Sequence, residues 1–310
     1  MAEITLCDLN EWSQNQVEMI RRDEDVYHGR IGRIAEHIAS HDEIRLLLLA
    51  GPSGSGKTTT ANLLSDGIKL RGKDAMVISL DDFYRDHTDP DYPKNELGGN
   101  DYERPESLNL EKLKSTLSAI VENRAFEVPK YDFKLGKCIK SVTHEPIGHG
   151  CVIIEGLHAL NPIISENLPM EKIIKLFVSV STNIHHDGRR ILSGRKVRFL
   201  RRLIRDSIYR GADAERTLAL WHGVLEAEDI YLYPYKHTAD LAFDTFHSFE
   251  LGAMKSKALS LLSEELAQKD EYVKIVLDAV RLIYPIEESY IPKNSLIREF
   301  IAGGIYDKIY

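Results

Sequence analysis

The sequence predicts an α/β fold, a mostly parallel sheet with helices on both faces. Three observations carry this. Near-continuous apolar runs of strand length ("IRLLLLA", "AMVISL", "CVIIEG" and "KIIKLFVSVS") alternate with longer runs of helical pattern, and strands apolar along their whole length are buried on both faces, as in a parallel sheet. The first run passes straight into "GPSGSGKTTTANLL", where Gly51, four residues, Gly56, Lys57 and Thr58 have the spacing of a phosphate-binding P-loop. Carboxylates stand just beyond the second and third apolar runs, at the carboxyl ends of strands, where ligands gather in such sheets.

In chain order, residues 1–42 read as a polar, helical amino-terminal segment with an amphipathic pattern at Ile31, Ile34, Ala35 and Ile38. The first strand begins near Ile44 and delivers the glycine loop. The helix after it runs to about Leu70 and stops at Gly72. "AMVISL" is the second strand, ending at Asp81. The polar stretch from Arg85 to Ser107 is a long loop of the kind that usually carries function. "LEKLKSTLSAIVEN" is a helix, "FEVPKYDF" is extended, "CVIIEG" and "KIIKLFVSVS" are buried strands, and "TADLAFDT" is a last strand. From Phe249 the pattern turns helical again. The main domain is therefore set at 43–252 and a helical carboxy-terminal extension at 253–310.

The composition of the 310 residues, 43% hydrophobic and 28% charged, is that of a globular chain with a well-buried core. A net charge of −8 gives no support to a general role on nucleic acid or anionic membranes. Cys7, Cys138 and Cys151 lack metal-ligand spacing and read as reduced thiols of a cytosolic protein. The first residues have neither the basic region nor the apolar core of a signal peptide, and no run approaches a membrane span. The expected location is cytoplasmic, without nucleic-acid or membrane partners, and a homo-oligomer is left open. His185 and His186 read as an adjacent pair in a loop without further ligand spacing, and Trp12 and Trp221 as packing residues.

The chemistry starts at the glycines, which let consecutive backbone N–H groups of Gly51, Ser53, Gly54, Ser55 and Gly56 curl round a phosphate at the positive end of the next helix. Lys57 can reach the terminal phosphates, the Thr58 hydroxyl can ligate Mg²⁺, and Thr59 completes the cradle. The cofactors expected are ATP and Mg²⁺. Asp81 and Glu155 can hold the metal or take a proton from an attacking hydroxyl, with helix capping or solvation as the plainer alternative. Asp82 reads as a cap or surface carboxylate. In "SGRKVRFLRRLIRDSIYRG", helical spacing puts Arg198, Arg201, Arg202 and Arg205 on one face and Val197, Leu200, Ile204 and Ile208 on the other. Such a basic face suits a lid over a transferring phosphoryl group, or else an ordinary solvated surface.

In their order, "GPSGSGKTT", "VISLDDFYRD", "DYERPESLNLEKL", "VPKYDF", "VIIEGLHAL", "RRLIRDSIYRG" and "TADLAF" resemble the uridine kinase and phosphoribulokinase family over roughly Ile44–Leu251. The resemblance extends to the bacterial uridine-kinase-like nucleoside kinases, without their threonyl-tRNA-synthetase-like amino-terminal region. The tail "IPKNSLIREFIAGG" is similar to the end of that subgroup. It implies a P-loop NTPase fold and an ATP-dependent kinase acting on a small hydroxyl-bearing substrate, with a uridine- or cytidine-like nucleoside leading. By position it makes Asp81 the catalytic base, Lys57 and Thr58 the phosphate and Mg²⁺ ligands, and Glu155 the metal-site carboxylate. Glu103 is placed where an aspartate holds the ribose hydroxyls, Tyr84 and Tyr131 as aromatic residues lining the nucleoside site, and Arg202, Arg205 and Arg210 as lid arginines. Gly136, Ala212 and Leu220 stand where uridine kinases have a histidine, an arginine and a glutamine near the base. Another small alcohol or a sugar phosphate therefore stays open as acceptor, with Lys130, Lys134 and Lys137 as a basic pocket. A non-catalytic nucleotide-binding module is the third reading, disfavoured because it needs no base such as Asp81.

Overall fold

The structure, a computed structural model, describes residues 3–95 and 98–309; Glu96 and Leu97 of the long loop lie outside the described residues. In chain order, β1 (Glu3–Thr5) leads into α1 (Leu6–Trp12) and α2 (Gln16–Ala39). β2 (Leu46–Ala50) passes through the glycine loop into α3 (Lys57–Lys69). β3 (Ala75–Ser79) ends in a 3₁₀ turn at Leu80–Phe83, and the long loop returns to α4 (Leu110–Val121). β4 (Phe126–Asp132) and β5 (Lys137–His144) form an antiparallel hairpin, and β6 (Cys151–Glu155) precedes the short α5 (Pro162–Ser165). β7 (Ile173–Ser179) is followed by a second hairpin, β8 (Asn183–His186) and β9 (Arg189–Leu192). The chain continues as α6 (Gly194–Arg210), α7 (Ala214–Tyr231) and β10 (Leu241–Asp244). It closes with α8 (Glu250–Leu261), α9 (Glu264–Lys269), α10 (Glu271–Leu282) and α11 (Arg298–Ile301).

The central sheet has the order β10-β7-β2-β6-β3, all parallel. Its middle strands are buried on both faces: Leu47 and Leu49 join one apolar cluster and Leu46 and Leu48 the other. That is the parallel sheet covered on both faces that the apolar runs imply, and it carries the glycine loop between β2 and α3, as the resemblance implies for a P-loop NTPase fold. Two expectations change in detail. The first residues after the start are not helical: β1 pairs in parallel with β8, in a small sheet of its own with β9. His185 and His186 lie in that strand rather than in a loop, because pairing with both β1 and β9 satisfies a backbone that a loop would leave to water.

The two flanking segments pack into the same apolar cluster as the sheet. Leu6, Met19 and Ile31 share it with Leu47 and Leu64, and with Val276, Leu296 and Phe300 from the far end of the chain. Asn10 ties the ends together, donating from Nδ2 to the Leu282 carbonyl at 3.0 Å and accepting from the Tyr284 N–H at 2.9 Å. Leu296, Ile297 and Phe300 are 0% exposed and Ile301 3%. At about 1.5–3 kcal/mol for each fully buried side chain, peeling this tail away costs on the order of 6–12 kcal/mol. That is comparable to the net stability of an entire domain.

Candidate active site

Sheet order brings the predicted residues together. β6 lies between β2 and β3, with Glu155 in register with Leu49 on one side and Ser79 on the other. Glu155 therefore sits two residues short of Gly51 on one neighbour and of Asp81 on the other. The glycine loop, Glu155 and Asp81 emerge side by side from three adjacent strand ends.

Gly56 caps α3 with φ +82°, a left-handed conformation, and a Cβ there would come within 2.5 Å of Leu296. Glycine is thus required by both dihedral and space. Lys57, Thr58 and Thr59 form the first helical turn, whose N–H groups have no intrahelical partner and attract anions. Thr58 Oγ1 donates to Glu155 Oε1 at 3.4 Å. A hydroxyl beside a buried carboxylate is a hard-oxygen donor pair that fits Mg²⁺. Burial pushes the Glu155 carboxyl up to about 7, with Lys57 pulling it back down and Asp81 adding to the rise. Asp81 sits in the 3₁₀ turn after β3, its N–H donating to Ser79 Oγ at 3.3 Å. Its side chain is open to the cleft yet ringed by protein: desolvation raises its pKa above the ordinary carboxylate range, while Lys57, Arg210 and Arg205 oppose the rise.

Loop conformation is enforced from α6 and α7. Arg198 and Arg201 are both 0% exposed. Arg198 makes a two-pronged ion pair with Glu228 at 2.8 Å on each prong and donates to the Ser53 carbonyl at 2.8 Å, while Glu228 accepts from the Ser53 N–H at 2.8 Å. Arg201 pairs with Glu250 and donates to the Gly54 carbonyl at 3.2 Å. The basic face therefore divides. Arg198 and Arg201 are buttresses under the loop, not lid residues, because α6 buries both its faces: Val197, Leu200 and Ile204 on one, these two arginines on the other, with Ile208 alone of the apolar stripe exposed. Arg202, Arg205 and Arg210 gather around the buried Asp206 at 3.3, 3.2 and 3.3 Å. Arg202 also donates to Ser53 Oγ at 3.0 Å. Arg210 is the outermost of the three, its side chain 61% exposed.

The side expected to hold the acceptor is aromatic. Tyr84 lies 5.8 Å from Tyr131 and 6.2 Å from Phe133, centroid to centroid. Tyr84 Oη donates to the Tyr102 carbonyl at 3.0 Å, which draws the long loop back over the cleft. Glu103 follows on that loop. Burial pushes its carboxyl up to about 7 against the pull of Arg202, and the Asp81 charge adds to the rise. The buried His158, three residues after Glu155, hydrogen-bonds the Glu103 backbone and is held neutral by burial, its pKa down to about 4. Asp82, expected as a cap or surface carboxylate, is a tie to β4: Lys130 Nζ donates to it at 2.7 Å. Lys134 and Lys137 flank the exposed hairpin turn, so the three lysines do not form a pocket.

Sequence reasoning missed several residues here. Gly136 has φ +64°, and a Cβ on it would come within 2.2 Å of His87 Nδ1. The imidazole of His87, carried by the long loop, covers the place a side chain at 136 would take. It stands among Tyr92, Tyr102 and Tyr131 at 6.3, 5.2 and 6.2 Å. Asp206 was legible, four residues from both Arg202 and Arg210. Glu228, Glu250 and Glu299 were not, since they approach from distant elements. Three predicted cradle residues have donors otherwise engaged, which corrects that part of the expectation: the Ser53 N–H donates to Glu228 and the Ser55 N–H to the Pro52 carbonyl at 3.1 Å, while Thr59 donates to Glu299 Oε2 from its hydroxyl at 2.8 Å and from its N–H at 3.4 Å. The tail lies over that turn of helix and supplies the carboxylate. Ala212 and the exposed Leu220 bring no polar group to the cleft. A separate cleft of about 470 Å³, lined by residues including Arg85, Asp86, Asp89 and Lys112, shares Tyr84 but none of Lys57, Asp81 or Glu155, so it is not the transfer site. Among the described residues no helix is long and apolar enough to cross a membrane.

The sequence profile of the Phosphoribulokinase / Uridine kinase family matches residues 46–251. A uridine kinase of Halobacterium salinarum is 27% identical over 220 residues, covering 70% of this chain and 84% of that protein. A uridine kinase of Deinococcus deserti is 28% identical over 220 residues, covering 70% and 93%. Among solved structures, one described as a possible uridine kinase from Bacillus stearothermophilus superposes with a TM-score of 0.47 at 19% identity, covering 70% of this chain and 98% of that one.

Proposed function

The chain belongs to the phosphoribulokinase / uridine kinase family and is a kinase; from that premise we propose that it transfers the γ-phosphoryl group of ATP to the 5′-hydroxyl of a ribonucleoside, uridine or cytidine first. The observation that carries the nucleoside reading is that the Asp81 and Glu103 charges both act on the Tyr84 hydroxyl, whose ring has Tyr131 and Phe133 beside it at 5.8 and 6.2 Å. A flat base finds aromatic faces there. Glu103 has the two oxygens needed to accept from adjacent ribose hydroxyls.

In the transfer, the glycine loop and the first turn of α3 hold the triphosphate, and Lys57 meets its terminal phosphates. Thr58 and Glu155 would hold Mg²⁺, which when bound offsets charge on the phosphate oxygens. Asp81 takes the proton of the acceptor hydroxyl as the new O–P bond forms and the bond between the γ-phosphorus and its bridging oxygen breaks, leaving ADP. Its raised pKa brings the carboxylate closer to the pH at which it must both lose and regain that proton. Arg202 and Arg205, oriented by Asp206, face the charge that spreads over the moving group.

A phosphorylated acceptor is less well served, because Lys130 is committed to Asp82 and Lys134 and Lys137 are exposed at the hairpin turn. The test is a panel of ribonucleosides, deoxyribonucleosides and small alcohols scored by ADP release with the purified protein. A ribonucleoside should lead, its 2′-deoxy analogue should fall behind because a desolvated carboxylate loses a partner, and Glu103→Ala should erase most of that difference. Turnover of sugars or other alcohols with no nucleoside accepted would sink the acceptor assignment.

A further inference from the structure

The tail puts a buried carboxylate between two parts of the transfer site. Glu299, on α11, is 4% exposed. Its Oε2 accepts from Thr59 Oγ1 at 2.8 Å and its Oε1 lies 3.6 Å from Arg205 Nη1. Arg205 is thereby held between Asp206, on its own helix, and Glu299, on the tail. Around this bridge Leu296 covers Gly56, and the Phe300 ring lies under the Arg201 guanidinium at 4.9 Å.

An anion on a P-loop helix suggests two roles with opposite consequences. A carboxylate that merely stands in for a phosphate has to leave when nucleotide arrives. The burial of Leu296, Ile297, Phe300 and Ile301 argues against this, since the segment cannot be displaced without opening the core. A carboxylate that stays fixes the distance between the turn holding the phosphates and the arginine facing the moving phosphoryl group.

We propose that Glu299 is a positioning residue for phosphoryl transfer, coupling Arg205 to the first turn of α3. The proposal rests on the role given to Arg205 above. Rigid placement of a charged group is worth far more in the transition state than in the ground state, so the effect belongs in kcat rather than in acceptor binding.

The test uses the full chain with Glu299→Gln, which keeps an acceptor oxygen for Thr59 and removes the charge opposite Arg205. The expected result is a kcat lower by about ten-fold, an acceptor KM unchanged, and a smaller loss in Glu299→Asp, where the charge is retained. In the double variant with Arg205→Ala, the loss should equal that of Arg205→Ala alone. Normal kcat in Glu299→Gln beside an impaired Arg205→Ala overturns the proposal while leaving Arg205 its role. Additive losses overturn it as well, because they mark a purely structural contribution, and so does tighter binding of a non-hydrolysable ATP analogue at unchanged kcat. An unimpaired Arg205→Ala removes the reading beneath it. Should the Gln variant fail to fold, the Asp variant and its double decide by the same comparisons.

Discussion

In the proposed transfer Lys57 and Asp81 act on opposite sides of the bond that changes, and each has its own signature. Lys57→Ala should abolish turnover with the fold intact, as seen in an unchanged circular-dichroism melt, because the lysine's partners are phosphates. Asp81→Asn should bind nucleotide normally yet turn over roughly 10²–10⁴-fold more slowly if it is the base; a loss of only a few-fold means it is not. Glu103 makes a pH prediction. Burial lifts its carboxyl to about 7, and only the ionised form accepts from two hydroxyls, so the acceptor KM should fall as pH rises through 7. Glu103→Gln should flatten that limb, and a profile that is already flat in the wild type removes Glu103 from the acceptor site. Gly136 shows how far residue-level reading reaches. The missing histidine was legible as a gap in a motif, but not its neighbour in space, because His87 is delivered from another loop.

On the scale of a helix, α6 marks the difference between a periodic pattern and its meaning. The spacing of Arg198, Arg201, Arg202 and Arg205 was legible and correct as geometry. Which of them meet water, protein or ligand was not, since that depends on Glu228 from α7 and Glu250 from α8. The Arg198–Glu228 pair is wholly desolvated and also fixes both backbone groups of Ser53. Removing one partner leaves a buried charge alone, so Glu228→Ala should cost about 3–5 kcal/mol in denaturant unfolding. Nucleotide affinity should fall with it, because the loop loses its tether. Unfolding within about 1 kcal/mol of wild type, the range of an exposed pair, would show that water reaches the site.

For the whole molecule, the tail and the amino-terminal helices are part of the core beside the nucleotide loop, so deleting residues 291–310 should reduce cooperative unfolding and nucleotide binding together. A truncated chain with a wild-type melt and wild-type ATP affinity would make the tail a mere appendage. The buried carboxyls add a pH term. Glu103 and Glu155, both lifted to about 7, hold protons more tightly folded than unfolded. Their stabilising contribution is therefore complete below about 4.5, the unfolded value, and lost as pH rises through 7. Adding Mg²⁺ should recover part of it above pH 7 and spare less in Glu155→Gln; thermal melts across pH 5–8 read both effects.

By itself the sequence determined the sheet, the phosphate loop, the carboxylates at the strand ends and the kinase family. Those features are written in local order: apolar runs of strand length, glycines at fixed spacing, acids at a strand's last residue or two residues past it. Tertiary structure alone decided which arginines support the loop and which gather at Asp206, that His87 covers Gly136, and that the tail brings Glu299 to Thr59. Each of these joins residues separated by tens to hundreds of positions. Charges are placed there by the burial of surrounding apolar side chains, and no periodicity along the chain records which distant partner that burial will bring.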